Sequence, residues 1–149
     1  MDNIDQKELV ALRQSNIGRL FLRAARAYSE LALKKMSVRG YSGLTLFHTA
    51  LIANLDIEGT RITTLAKRAG ISKQAMGQLV MDLTERGFIQ REPDPDDKRA
   101  ALILFTQQGW QFLQDAYLVK QEIEAEYAAI LGEDGMVQLR SALERLLGG

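Results

Sequence analysis

The sequence predicts a mainly α-helical fold with a small β-hairpin wing, set between long N- and C-terminal helices. Three observations lead there. Residues 63–83 have the spacing of a short helix, a turn at Gly70-Ile71-Ser72 and a longer helix, so that Ala66, Ile71, Met76, Leu79 or Val80, and Leu83 bury together as a helix-turn-helix. Two apolar runs then flank a turn rich in proline and aspartate, as in a hairpin. On either side lie long stretches whose apolar residues recur at three- and four-residue steps.

From Leu9 to Met36 the helical stripe includes Leu12, Ile17, Leu20, Phe21, Ala24, Tyr28 and Leu31. Gly40 to Gly43 interrupts it. Thr45 is placed to cap a second helix through Leu55, with Leu44, Leu51, Ile52 and Leu55 inward. After the break at 56–59, Thr63 or Thr64 is expected to open the first helix of the motif. Gly70 supplies the left-handed residue that ends it, and Ser72 caps the longer helix, which stops at Gly87. Phe88–Arg91 and Ala101–Phe105 are the expected strands, and both prolines fall in the connection between them, where they cannot disturb a ladder. Thr106 caps a helix from Gln107 to about Leu131, and a last helix runs from Glu133 to Leu147.

The chain has 149 residues, enough for one domain, and its 46 % hydrophobic content argues against intrinsic disorder. With no cysteine, disulfides, thiolate metal sites and cysteine redox sensing are excluded, and a reducing cytoplasm is the expected setting. The N-terminus lacks the basic and apolar blocks of a signal peptide, and no apolar run is long enough to span a bilayer, so no membrane partner is expected. The formal net charge is zero, but its distribution is uneven. Residues 61–91 hold six basic side chains (Arg61, Lys67, Arg68, Lys73, Arg86, Arg91) against Asp82 and Glu85. Residues 100–149 hold three basic side chains against seven acidic ones. A basic segment joined to an acidic helical tail still presents a positive surface to phosphate.

These features point to a DNA operator as the partner. One face of the longer helix is free to enter a major groove, with Gln74 and Gln78 one turn apart on it; a glutamine amide pairs with adenine N6 and N7. Lys67, Arg68 and Lys73 are expected at phosphates, which set position and not sequence. Arg86 and Arg91 either join them or pair with Glu85 and Glu92. An enzyme is not expected: one histidine must serve any catalytic set, and Gly70, Gly77 and Gly87 are too far apart for a phosphate-binding loop. No cofactor or metal is expected either, since a lone histidine without cysteine makes a poor transition-metal site.

Over roughly Leu44 to Leu113 the chain resembles the MarR family of winged helix-turn-helix transcription regulators. The wing carries the resemblance most strongly: Asp94-Pro95-Asp96-Asp97-Lys98-Arg99, followed by Leu102, Leu104 and Thr106, is similar to the family's DPxDxR…LT pattern. Ser72-Lys73-Gln74-Ala75-Met76 with Leu79, Val80, Leu83 and Gly87 is similar to its recognition segment. The resemblance implies a winged helix-turn-helix over residues 44–106, a homodimer held by helices in residues 9–36 and 107–147, and an operator that is a pseudo-palindrome. It also implies that Arg99 enters the minor groove from the wing, with Asp97 orienting it and Lys98 beside it. A repressor released by a small aromatic or phenolic effector is the implied function; a winged-helix interaction module without sequence-specific readout is the alternative.

Two positions carry open readings. Gly77 stands where the family usually has a small polar residue; it either lets the helix backbone approach the bases or is a neutral substitution on a packed helix. His48 either senses an effector in a cleft with Phe21, Tyr28 and Tyr117, or is a satisfied semi-buried histidine.

Overall fold

Asn16 divides what the periodicity predicts as one N-terminal helix. In the computed structural model, which describes residues 4–149, α1 (Gln6–Ser15) ends at Asn16 and α2 (Ile17–Val38) begins there. The Asn16 side chain accepts the Gly18 backbone N–H at 2.8 Å, which makes it an N-cap. A local cap overrides the continuous apolar stripe.

Gly40 and Gly43, both at positive φ, turn the chain into α3 (Leu46–Asn54). Thr45 caps α3 as expected, and its own backbone N–H donates to His48 Nδ1 at 3.0 Å, closing a capping box. A two-residue strand, β1 (Thr60–Arg61), then leads straight into α4 (Ile62–Ala69). Arg61 therefore stands at the N-cap without a side-chain cap bond, and neither Thr63 nor Thr64 opens the helix. Pairing of β1 with Ile103 and Leu102 fixes that entry instead.

Gly70 ends α4 at φ 69°, ψ 30°, and Ser72 caps α5 (Lys73–Glu85) by accepting the Ala75 N–H at 3.1 Å. Leu51, Leu65, Met76, Val80 and Leu83 are fully buried between α3, α4 and α5. Between the two candidates for the α5 core, Val80 is the buried one and Leu79 is half-buried beside it.

The wing is tighter than its sequence suggests. Strands β2 (Ile89–Asp94) and β3 (Asp97–Phe105) leave only Pro95 and Asp96 as the turn. Pro93 lies inside β2, opposite Ala101, with a bulge after it. The sheet order β1-β3-β2 makes β2 an edge strand, where a missing N–H costs no ladder bond.

Thr106 caps α6 (Gln107–Leu146) by accepting the Gly109 N–H at 3.0 Å, and its hydroxyl donates to the Gly87 carbonyl. Gly109 sits so close to β2 that a Cβ there would lie 2.1 Å from the Phe88 carbonyl oxygen. Trp110, one residue on, packs its ring against Phe105 with centroids 5.7 Å apart. At Gly132 (φ 78°, ψ 163°) the backbone leaves the helix, giving the two arms that the sequence predicts as separate helices. The first arm packs on α2: Tyr28 lies against Tyr127, Lys35 pairs with Glu126 at 2.6 Å, and Arg39 pairs with Glu122. Near the wing, Tyr41, Phe88 and Phe112 form an aromatic cluster, and Tyr41 donates its hydroxyl to Asp115. Burial and then that carboxylate push the Tyr41 phenol up to about 12.

Candidate nucleic-acid interface

The core that buries Met76, Val80 and Leu83 turns the opposite face of α5 outward. Lys73, Gln74 and Gln78 are exposed on it, and Ser72 stands exposed at its N-terminus with its hydroxyl engaged in the cap. Gly77 has an ordinary helical backbone, and a Cβ built there meets no heavy atom within 4 Å. Packing within the chain therefore does not require glycine at this position.

A second exposed set lies on the wing. Arg91 projects from β2, and Lys98 and Arg99 follow the hairpin turn at the start of β3. Asp97 accepts the Arg99 backbone N–H at 3.0 Å, so it fixes the chain path at the wing tip; it makes no ion pair with the guanidinium, unlike the orienting role that the resemblance implies. With Lys67 at the end of α4 and Lys73 at the start of α5, these give five cations with no carboxylate within 4 Å among the described residues (Lys67, Lys73, Arg91, Lys98, Arg99). Unpaired cations keep their full attraction for phosphate.

Two other exposed basic residues are engaged by partners within the chain. Arg68 donates to the Asn54 carbonyl at 2.8 Å and pairs with Asp56 at 2.9 Å, tying α4 to the end of α3. Its expected phosphate contact thus competes with an internal one. Arg86 donates to the carbonyls of Ser42 and Gly43 and makes no ion pair with Glu85.

The wing also has a brace that the sequence reading missed. Asp94 is buried (5 % exposed) and accepts from Arg61 Nε at 2.7 Å and Nη2 at 2.6 Å, and from the Asp96 N–H at 2.9 Å. The Asp96 N–H first, and the Arg61 guanidinium second, hold the Asp94 carboxyl below its ordinary range. Asp-Pro-Asp signals a side-chain-closed turn, which is the half of this brace legible in sequence. Its other half, Arg61, lies 33 positions away.

The expected effector group does not assemble. A cavity of about 390 Å³ lies between α2, α3 and α6, lined among others by Tyr28, Met36, Leu44, Thr49, Phe112 and Lys120. Of the four expected residues only Tyr28 lines it, and burial raises its phenol above the ordinary value. Phe21 and Tyr117 are exposed and do not line it. His48 is buried, but its capping bond to Thr45 turns the ring toward α5. No described helix is long and apolar enough to cross a membrane.

Comparison with known proteins agrees with this geometry. The sequence pattern of the MarR family matches residues 42–100. An uncharacterized HTH-type transcriptional regulator of Mycobacterium leprae is 28 % identical over 131 residues, covering 83 % of this chain and 92 % of that protein. A probable transcriptional regulator from Pseudomonas aeruginosa superposes with a TM-score of 0.69 at 26 % identity, covering 89 % of this chain and 98 % of the other. A mutant of Escherichia coli MarR complexed with operator DNA gives a TM-score of 0.71 at 22 % identity, covering 91 % and 96 %. The last likeness concerns the fold alone.

Proposed function

We propose that the chain, whose residues 42–100 match the MarR-family pattern, is a winged helix-turn-helix transcription regulator that acts as a homodimeric repressor on a pseudo-palindromic operator. The observation that carries this reading is the pairing of two outward surfaces on one rigid core: the amide-bearing face of α5 and the unpaired wing-tip cations. Gln74 and Gln78 read base edges in the major groove, with Gly77 between them giving the backbone close approach. Lys67, Lys73 and Arg91 hold phosphates. Arg99, with Lys98, enters the adjacent minor groove, where a narrow A·T-rich stretch concentrates negative potential. The helical flanks join two copies, so that two α5 helices address half-sites about 34–36 Å apart.

The cavity beside Tyr28 suits a small aromatic or phenolic effector, since its lining is apolar except for a few groups such as Ser29, Thr49 and Lys120. Such a ligand relieves repression only if it binds the DNA-incompetent spacing of the two heads more tightly.

The test is fluorescence-anisotropy binding to DNA upstream of the protein's own gene, across a salt series and against scrambled competitor. The expected result is sequence-dependent binding of a dimer with a steep salt slope. Arg99→Ala should weaken it by about tenfold or more, on the scale of ~1–3 kcal/mol for a base-contacting arginine, without lowering the melting temperature. Equal affinity of Arg99→Ala and wild type at matched salt would refute the wing's role. If a genome-wide pull-down also finds no preferred sequence, the chain is an interaction module instead.

A further inference from the structure

His48 is the chain's single histidine, and it is 6 % exposed at the contact between α3 and α5. Its Nδ1 lies 3.0 Å from the Thr45 backbone nitrogen, a group that only donates. Nδ1 must therefore accept, which puts the proton of the neutral ring on Nε2. That Nε2 is buried and has no hydrogen-bond partner. The facing acceptor is Asp82 Oδ2 on α5, at 3.5 Å. The other oxygen of the same carboxylate, Oδ1, accepts from Gln78 Nε2 at 3.3 Å. A buried N–H left unpaired is costly, so a small approach of Asp82 toward the ring is favoured.

We infer that His48 is a positioning residue for base readout: its Nε2–H anchors the Asp82 carboxylate, and Asp82 in turn fixes the amide plane of Gln78. The inference rests on the reading of Gln78 as a base contact. One amide N–H of Gln78 is held by Asp82, leaving the carbonyl oxygen and the second N–H for a base. Those two groups are what bidentate pairing with adenine needs, and the anchor selects the rotamer that offers them. Without the anchor the exposed amide rotates freely, and its preference for one base falls while phosphate contacts stay in place. The Thr45 capping bond that sets the histidine tautomer thus reaches the base-reading face through three side chains.

The experiment measures affinity for an operator and for its single base-pair variants across a half-site, with Gln78→Ala, His48→Leu, His48→Gln, Asp82→Asn and the double variant His48→Leu/Gln78→Ala. Gln78→Ala should relax discrimination at one base pair by about tenfold. His48→Leu should relax the same position and no other, the double variant should be no worse than Gln78→Ala, and His48→Gln should restore discrimination by supplying an N–H. Asp82 is partly exposed, so Asp82→Asn gives the same reading should His48→Leu fold poorly. Uniform weakening at every base pair, or no change at the Gln78 position, overturns the inference. A wild type specific for sequence but indifferent to Gln78→Ala overturns it while sparing the regulator reading; a wild type without sequence preference removes both. Nitrogen-15 shifts of the His48 ring, read without DNA, should report the Nε2–H form; the Nδ1–H form also overturns it.

Discussion

The reading half of the chain and its helical flanks bury their apolar residues by different means. Between α3 and β3, Leu51, Leu65, Met76, Val80, Leu83 and Ile103 disappear completely into one intrachain core. In the flanks, α1 buries nothing and α2 buries only Met36. All the buried residues of α6, from Gly109 to Ile123, lie on its first arm. Leu9, Leu12, Leu20, Leu131, Leu139 and Leu146 all stay exposed in the single chain. The lesson is that the reading half carries its own stability, whereas the flanks await apolar surface from outside, as the proposed second copy would supply.

The harshest way to break the first half is at its joint with α6. Gly109→Ala forces a Cβ against the Phe88 carbonyl oxygen, a backbone atom that cannot swing aside, and α6 must lift from the sheet. Overpacking of this kind should cost about 3 kcal/mol or more, read as a melting temperature lower by roughly 10 °C. The flanks should fail differently. Leu20→Glu with Leu139→Glu should weaken self-association by at least ~30-fold, the scale for losing a central interface anchor, as sedimentation would show. The helical circular dichroism of the reading half should survive. If that variant remains a dimer, the exposed flank residues are not the interface.

A smaller effect sharpens the comparison within the wing. The Asp94 carboxyl is held below its ordinary value by the Asp96 N–H and Arg61. A carboxyl with a depressed folded pKa stabilises the fold above its unfolded value near ~4, and that contribution is lost as pH falls through the lower folded value. Asp94→Asn should therefore melt earlier than wild type at neutral pH, and the two curves should converge as pH falls through the lowered folded value of Asp94. A gap independent of pH would mean that the carboxylate's charge plays no part in the brace.

The smallest expected change has the opposite sign. Gly77→Ala has open space around the added methyl and should raise stability by about 1 kcal/mol, the helix-propensity gain of alanine. If close backbone approach to DNA matters, the same variant loses operator affinity while melting later. Unchanged affinity would favour the reading of Gly77 as a neutral helix residue.

Signals contained within a few residues were legible in the sequence. Gly70 and Ser72 at the turn, Thr45 and Thr106 as caps, and the break after Leu131 all act through neighbours within one helical turn. The two-residue strand β1 was not, because two residues have no periodicity to show. Pro93 carries the sequence signature of a turn, because its tolerance inside β2 depends on being at a sheet edge, which is a tertiary fact. At the site, exposure of Gln74, Gln78 and the wing cations followed from the helix and hairpin patterns. The partners of Arg68 and Arg86, and the Arg61 half of the Asp94 brace, did not, since they lie 12 to 44 positions away. His48 illustrates both cases: its burial was one of two open readings, but the direction it faces is set by the Thr45 capping bond.

Trp110 gives this protein a built-in optical probe. It is the single tryptophan, it is partly exposed, and it rests on Phe105 where the wing's last strand hands over to α6. Any tilt of the wing relative to that helix changes the polarity around one indole and nothing else that fluoresces strongly. The chain also has no native thiol, so a cysteine introduced at the hairpin tip would take a dye at that place alone. Energy transfer from Trp110 to such a dye would follow the wing's motion in solution from a single unmodified donor.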